Sequence, residues 1–405
     1  MLQQVEGSRA VAVAIAACRP QVICAYPISP QTHIVEDLSR MVKTGELVGC
    51  EYVNVESEFG AMSGVIGASA VGARSYTATA SQGLLYMVEA LYNASGMCLP
   101  IVMTVANRAI GAPINIWNDH GDAMSQRDSG WIQLYATSNQ EAADLHVQAF
   151  KIAEELSVPI MVCMDGFVLT HAVERVDVIE QAAVDAFLPP YAPRQVLDAD
   201  DPVSIGSMVG PEAFTEVRYL AHMRQLEALE VIPRVAAEFA AAFGRDSGGL
   251  VRPYRTDGAE TIVVALGSVF GTLQDVVDAE RAEGVSVGLL GVTSFRPFPN
   301  DAVRAALAGA RRVVVIERAL ALGSDGIVAS DVRAALVGTG IGQRTVVAGL
   351  GGRPITTPSL REMLGRAVRD ELPAMTFLDL DTALVERELD RLHAVDRAQA
   401  LVPQA

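Results

Sequence analysis

The sequence predicts an α/β protein made of two parallel-sheet units joined by an irregular connector. Three observations predict this. Short apolar runs alternate with helix-length segments over residues 1–190, and the alternation returns over 258–395. That is the pattern of parallel strands covered by helices on both faces. Between them, Leu188-Pro-Pro-Tyr-Ala-Pro-Arg and Asp198–Pro202 are rich in turn formers, so residues 191–257 begin as an extended connector. Alanine and glycine are plentiful while aromatics make up 5% of the chain, which favours closely packed layers over an aromatic β-sandwich.

The elements follow in order. Glu6–Cys18 reads as a helix ending near Arg19-Pro20. Val22–Tyr26 is a short apolar run stopped by Pro27, as a buried strand would be. Gln31–Val42 has helical spacing, Tyr52–Val55 is strand-like, and Glu58–Gly72 is a helix of small residues. Ser75–Thr79 is β-prone, Gly83–Ser95 helical, and Ile101–Val105 a β-branched strand. Glu141–Leu156 is a clear helix followed by the strand Ile160–Met164. After the connector, Pro211–Phe243 reads as a helix packed on the first unit, with Leu220, Met223, Leu226, Leu229 and Ile232 at helical spacing. In the last unit, strands are expected at Thr261–Leu266, Val285–Leu290, Arg312–Glu317 and Thr345–Gly349. Helices are expected at Thr272–Glu283, Asn300–Ala308 and Ile327–Leu336, with an exposed charged helix near Leu384–Asp396.

With 405 residues the chain can bury a large core in two or three domains. Its 31 basic and 48 acidic residues leave a net charge of −17, which repels phosphate backbones and argues against nucleic acid as a partner. Five cysteines are scattered with no C-x-x-C pair, so no zinc or iron–sulfur site is expected on this chain, and a reducing cytoplasm suits them. Cys163 sits in an apolar run and reads as a buried strand thiol. The N-terminus has no basic leader, and Ala10–Cys18 is too short to span a bilayer, so no membrane association is expected.

Ligands of open α/β sheets bind beyond the carboxyl ends of strands. Four segments lie there: Tyr26-Pro-Ile-Ser-Pro-Gln-Thr, Glu56-Ser-Glu-Phe-Gly, Ala80-Ser-Gln-Gly and Ala106-Asn-Arg-Ala. Glu58 opens a helix, where an acidic side chain can serve as a cap or favour the dipole. It can equally present a half-buried carboxylate that shares a proton with a ligand ring nitrogen, and Glu56 is its rival. Arg108 is either a surface charge or a two-pronged grip on a carboxylate. Ser29 either orients a ligand or satisfies a neighbouring backbone group. Asp119, His120 and Asp122 invite a metal reading, but a loop of mutually satisfied polar groups explains them as well. His171 reads as structural. The chain contains no G-x-G-x-x-G, Walker A loop or G-x-S-x-G elbow. A GDG-type diphosphate motif is also missing, Ser324-Asp-Gly being the nearest match, so this chain is not expected to hold a cofactor's diphosphate.

Seven segments together resemble the α subunit of pyruvate:ferredoxin oxidoreductases and related 2-oxoacid:acceptor oxidoreductases. They are Tyr26-Pro-Ile-Ser-Pro-Gln-Thr, Glu56-Ser-Glu-Phe-Gly-Ala-Met-Ser, Tyr76-Thr-Ala-Thr-Ala-Ser-Gln-Gly, Val105-Ala-Asn-Arg-Ala, Ile114-Asn-Ile-Trp-Asn-Asp-His, Asp165-Gly-Phe-Val-Leu-Thr-His and Phe295-Arg-Pro-Phe-Pro. They cover nearly the whole chain in order. The resemblance implies a pyrimidine-type thiamine diphosphate-binding domain followed by a transketolase C-terminal-like domain. It implies that Glu58 bonds N1′ of the cofactor's aminopyrimidine, with Tyr26, Pro27 and Ile28 beside it. It places Ser29 and Arg108 on the substrate, Arg108 at its carboxylate. The implied reaction is coenzyme A-dependent oxidative decarboxylation of pyruvate, with electrons passed to ferredoxin. A β subunit would hold the diphosphate, Mg²⁺ and a [4Fe–4S] cluster, and ferredoxin-like δ and γ subunits would complete the complex. Ser29 stands where the family has threonine, and Gly121 where it often has glutamine. Each change could widen the pocket, and a lost methyl alters discrimination by about 1–3 kcal/mol. Other 2-oxoacids therefore stay open (2-oxoglutarate, a branched-chain oxoacid, oxalate), as does a non-catalytic assembly subunit.

Overall fold

The computed structural model describes residues 2–400. The first strands are β1 (Leu2–Glu6), β2 (Val22–Ala25), β3 (Glu51–Asn54), β4 (Ser75–Thr79), β5 (Val102–Asn107), β6 (Ile132–Tyr135), β7 (Ile160–Asp165) and β8 (Val173–Asp177). After the connector come β9 (Val251–Tyr254), β10 (Thr261–Ala265), β11 (Val287–Val292), β12 (Ser294–Arg296), β13 (Arg312–Glu317), β14 (Gly342–Val347) and β15 (Met375–Phe377).

One sheet has the order β12-β6-β7-β5-β4-β2-β3, and the other β15-β14-β13-β10-β11-β9. In the first, every pairing is parallel except β12 against β6. In the second, only β9 runs antiparallel to its neighbour. β1 and β8 form a separate antiparallel ribbon. β4, β5 and β7 are buried along their whole length, which is why they read as continuous apolar runs. Cys163 is fully buried in β7, as its surroundings suggested.

Strand order locates the crevices. The chain leaves β2 toward β3 on one side and returns to β4 on the other, so a switch point opens between β2 and β4. A second switch point lies between β10 and β13. The two sheets are not separate bodies. β12 comes from the later part of the chain but completes the first sheet, and buried residues from Cys24 to Leu336 form one continuous apolar cluster.

The helix Phe214–Phe243 divides into two halves. Ala228, Val231, Ile232, Val235 and Phe239 are buried. Leu220, Met223 and Leu226 are exposed, so the apolar stripe seen in the sequence runs past the edge of the surface it packs on. Gly83–Ser95 is two helices, Ser81–Tyr86 and Val88–Gly96, that meet at Met87. The helix Thr357–Val368 has no counterpart among the sequence expectations; Thr356 caps it by accepting from the Ser359 amide at 3.3 Å. Among the described residues no helix is long and apolar enough to cross a membrane.

Candidate active site

The β2/β4 switch point gathers the loops after β2, β3, β4 and β5. Gln31 ties the first of these down. Its side chain is buried, and Nε2 donates to the carbonyls of Tyr26 at 2.9 Å and Ala78 at 3.3 Å. The loop it closes leaves Tyr26, Pro27 and Ser29 exposed and Ile28 half-buried.

Glu58 is the first residue of the helix Glu58–Ala70, but it is not the cap. Ser57 takes that role, its Oγ accepting from the Gly60 amide at 3.0 Å. Glu56 turns outward and accepts from the Ser57 hydroxyl at 3.1 Å. Glu58 is therefore left free, with 8% of its surface exposed and no hydrogen-bond partner among the described residues. It lies over Gly83. A Cβ at that position would sit 2.7 Å from Glu58 Oε1 and 2.6 Å from Thr79 Oγ1, so only glycine lets the carboxylate occupy this place. The Thr79 hydroxyl is buried without a partner.

Arg108 follows the end of β5. Its Nη1 donates to the Ser29 carbonyl at 2.8 Å, while its Nε is buried and unpartnered. Burial lowers the pKa of this guanidinium from its ordinary value, with Asp122 opposing. Ser29 thus meets Arg108 through its main chain, and its hydroxyl is left over.

Asp122 is the fixed point beneath these groups. Fully buried, it accepts from the Ser81 amide at 2.9 Å, the Arg108 amide at 2.9 Å, the Ala123 amide at 2.7 Å and Asn107 Nδ2 at 2.8 Å. It joins the ends of β4 and β5. Its sequence neighbours are spent elsewhere. Asp119 accepts from the amides of Gly121 at 2.7 Å and Gly351 at 3.2 Å, and His120 donates to Asp165 at 2.6 Å. Among the described residues these three side chains face different partners and do not converge, while His120 Nδ1 and the Asn118 side-chain amide are buried without partners.

Three features were beyond the sequence reading: the Gly83 seat, the Gln31 anchor and the Asp122 hub. Ala80-Ser-Gln-Gly and Gln31 lie in segments that drew attention, yet no local pattern assigns them these contacts. A separate cavity of about 440 Å³ lies under the exposed half of the Phe214–Phe243 helix, among Arg218, Arg224 and Arg296. It is bordered by Ser157 and Val158, which precede β7, and so belongs to the other end of the sheet.

The site can be tested for a thiamine ring. A free, nearly buried carboxylate suits a ring nitrogen, and an unpartnered buried guanidinium nitrogen suits a carboxylate substrate. Asp325, in the segment nearest to a diphosphate motif, is already engaged. It accepts from the Gly326 amide at 2.7 Å and Thr345 Oγ1 at 3.0 Å, and it pairs with Arg333. The residues present fit the ring side of the cofactor.

Comparison with known proteins gives the family. The family model for the thiamine diphosphate-binding domain of pyruvate flavodoxin/ferredoxin oxidoreductases matches residues 13–237. The model for pyruvate:ferredoxin oxidoreductase core domain II matches residues 259–360. Subunit PorA of the pyruvate synthase of Methanosarcina barkeri is 48% identical over 390 residues, covering 94% of this chain and 97% of that protein. A 2-oxoglutarate:ferredoxin oxidoreductase from Magnetococcus marinus superposes with a TM-score of 0.73 at 18% identity, over 91% of this chain and 65% of that longer one. A split-gene transketolase superposes with a TM-score of 0.55 at 14% identity, over 91% of this chain and all (100%) of that one.

Fold and family match together define an α/β chain with a thiamine diphosphate-binding domain. Within that class, the chain belongs to the pyruvate flavodoxin/ferredoxin oxidoreductase family.

Proposed function

We propose that this chain is the thiamine-ring subunit of a pyruvate:ferredoxin oxidoreductase and works only with partner subunits. One observation carries the reading: the Glu58 carboxylate, nearly buried and unpartnered, is seated on Gly83 at the β2/β4 switch point. When bound, thiamine diphosphate supplies the electron sink that lets a 2-oxoacid lose CO₂. Glu58 would share a proton with N1′ of the ring. Tyr26, Pro27 and Ile28 would border the ring, and Arg108 would bind the oxoacid carboxylate with the nitrogen it does not spend on Ser29. The Ser29 hydroxyl would face the substrate. Overall, pyruvate and coenzyme A give acetyl-coenzyme A, CO₂ and a proton, and two one-electron ferredoxins are reduced.

Mg²⁺ and the [4Fe–4S] clusters would reside on the β and δ subunits, with a γ subunit completing the assembly. Three features support this division. The cysteines here are all free and scattered, Asp325 is engaged, and Tyr26, Val53, Phe59 and Tyr86 are exposed around the mouth of the site. Apolar surface of that kind suits a partner's cover. The reducing cytoplasm suits free thiols. Pyruvate is favoured over other oxoacids by the near full-length relationship to a pyruvate synthase subunit.

The test is Glu58→Gln in the assembled complex. Pyruvate-dependent ferredoxin reduction should fall at least about 100-fold, with assembly unchanged. Turnover within twofold of wild type would refute the catalytic role.

A further inference from the structure

We propose that Glu6, His33 and His171 form a binding site for a divalent transition-metal ion of the zinc class. The three come from distant parts of the chain: the end of β1, the start of the helix Thr32–Thr44, and the segment leading into β8. Their candidate ligand atoms all lie within 4.8 Å of one another. Glu6 Oε1 is already 2.6 Å from His33 Nδ1, and the two imidazole rings face each other with centroids 4.6 Å apart. Two neutral imidazole nitrogens and one carboxylate oxygen are a zinc donor set that leaves a fourth position open.

Two of the ligands are rigidly held. The β1–β8 ribbon pairs Glu6 with Val173. Beside it the Gly7 amide donates to Ala172 at 3.0 Å, and the Ser8 amide to Thr170 at 2.9 Å. The approach is so close that a Cβ on Gly7 would lie 2.1 Å from the Leu169 carbonyl, so only glycine brings Glu6 this near. Thr170 orients the next ligand. Its hydroxyl accepts from the Phe167 amide at 2.8 Å and lies 2.7 Å from His171 Nδ1, which leaves Nε2 to bind an ion.

His33 is the adjustable ligand. The next residues, Ile34 and Val35, anchor its helix in the core, while its own side chain is 47% exposed and gives the ion a way in. Zinc holds such ligands at about 2.0–2.2 Å, so binding draws the three together by side-chain rotation. The consequence reaches the active site. His33 follows the loop that carries Ser29, and His171 follows the loop opened by Gly166, against which Pro30 is packed. A bound ion would fasten these two loops together. The proposal does not depend on the thiamine reading.

The experiment uses the full-length chain stripped with a chelator and titrated with Zn²⁺ against a chromophoric competitor. Wild type is compared with His33→Gln, His171→Gln and Glu6→Gln, with circular dichroism as the check on folding. Wild type should bind one equivalent and gain thermal stability from it. Each variant should lose that equivalent or bind it at least about tenfold more weakly. His33→Gln, on the exposed ligand, is decisive should another variant fail to fold. No equivalent in wild type, or zinc bound as tightly by His33→Gln, would overturn the proposal and leave Glu6–His33 as a hydrogen bond alone.

Discussion

Arg108 gives one arm of its guanidinium to the main-chain carbonyl of Ser29, 2.8 Å away, and keeps a buried nitrogen free. The arginine thus fixes the loop and still has a donor to offer. Its backbone is held separately by Asp122, so the side chain can be changed without disturbing the strand end. A lysine cannot serve two acceptors in one plane. Arg108→Lys should raise KM for pyruvate at least about tenfold, which is about 1.4 kcal/mol, with a smaller change in kcat. Steady-state kinetics of the assembled complex reads this directly, and an unaltered KM would remove Arg108 from the substrate.

Gly83→Ala tests the seat beneath Glu58. The added methyl would collide with both the Glu58 carboxylate and the Thr79 hydroxyl. The carboxylate must swing away from the switch point. Thiamine diphosphate affinity of the complex should fall at least tenfold, about 1.4 kcal/mol or more, while subunit assembly persists. Calorimetric titration of cofactor-free complex would measure it, and full affinity would show that Glu58 does not need this position.

Much of this site was legible because buried parallel strands announce themselves. β2, β4, β5 and β7 appear as apolar runs, and Ser29 and Arg108 draw attention just beyond two of them, Glu58 just beyond the half-exposed β3. Other short or half-exposed elements give no such signal. β6 and β12 have four and three residues, and β12 finds its partner only by returning to a sheet begun far earlier in the chain. Glu58 could not be distinguished from a cap until Ser57 was seen capping. His171 looked solitary because Glu6 and His33 reach it only through the β1–β8 ribbon and a helix docked beside it. The limit in each case is contact between residues far apart in sequence, which local periodicity does not encode.

The core of the first unit predicts a pH dependence. His146 is fully buried, and its Nδ1–H donates to the Ala142 carbonyl at 2.6 Å. Nε2 therefore accepts from Thr104 Oγ1 at 2.6 Å, and Thr104 in turn accepts from Tyr76 at 2.6 Å. Burial pushes the imidazole pKa down to about 4, with the Ala142 carbonyl opposing. Between that value and the ordinary one near 6.5, the unfolded chain takes up a proton that the native chain refuses. Stability therefore rises with pH through this window and falls as the solution is acidified. His146→Gln keeps a donor and an acceptor but cannot titrate. On going from pH 7 to pH 5, wild type should lose on the order of 2 kcal/mol more unfolding free energy than the variant. Equal losses would show that another group carries the acid sensitivity.

The last prediction concerns the joint between the sheets. Asp165, the final residue of β7, is fully buried and accepts from His120 Nε2 at 2.6 Å, Arg318 Nη1 at 2.9 Å and the Ser268 amide at 3.0 Å. The Ser268 hydroxyl donates to it as well. Ser268 and Arg318 stand beyond β10 and β13, so the second sheet's switch point is filled by a carboxylate from the first. Burial alone would raise the pKa of this carboxyl, but His120 and Arg318 outweigh it and hold it well below the usual carboxylate range. Its contribution is thus fully present above the ordinary carboxylate pKa and is lost only as pH falls toward the depressed value. Asp165→Asn removes the anion at neutral pH and strands Arg318, itself almost buried. Breaking a buried pair in this way costs on the order of 3–5 kcal/mol. The loss should appear at the joint before it appears in the strands. Amide exchange at residues 267–270 and 318–320 should accelerate while β4 and β5 stay protected. Exchange at Ser268 that matched wild type would mean that the sheets are held together by their shared apolar cluster and not by this carboxylate.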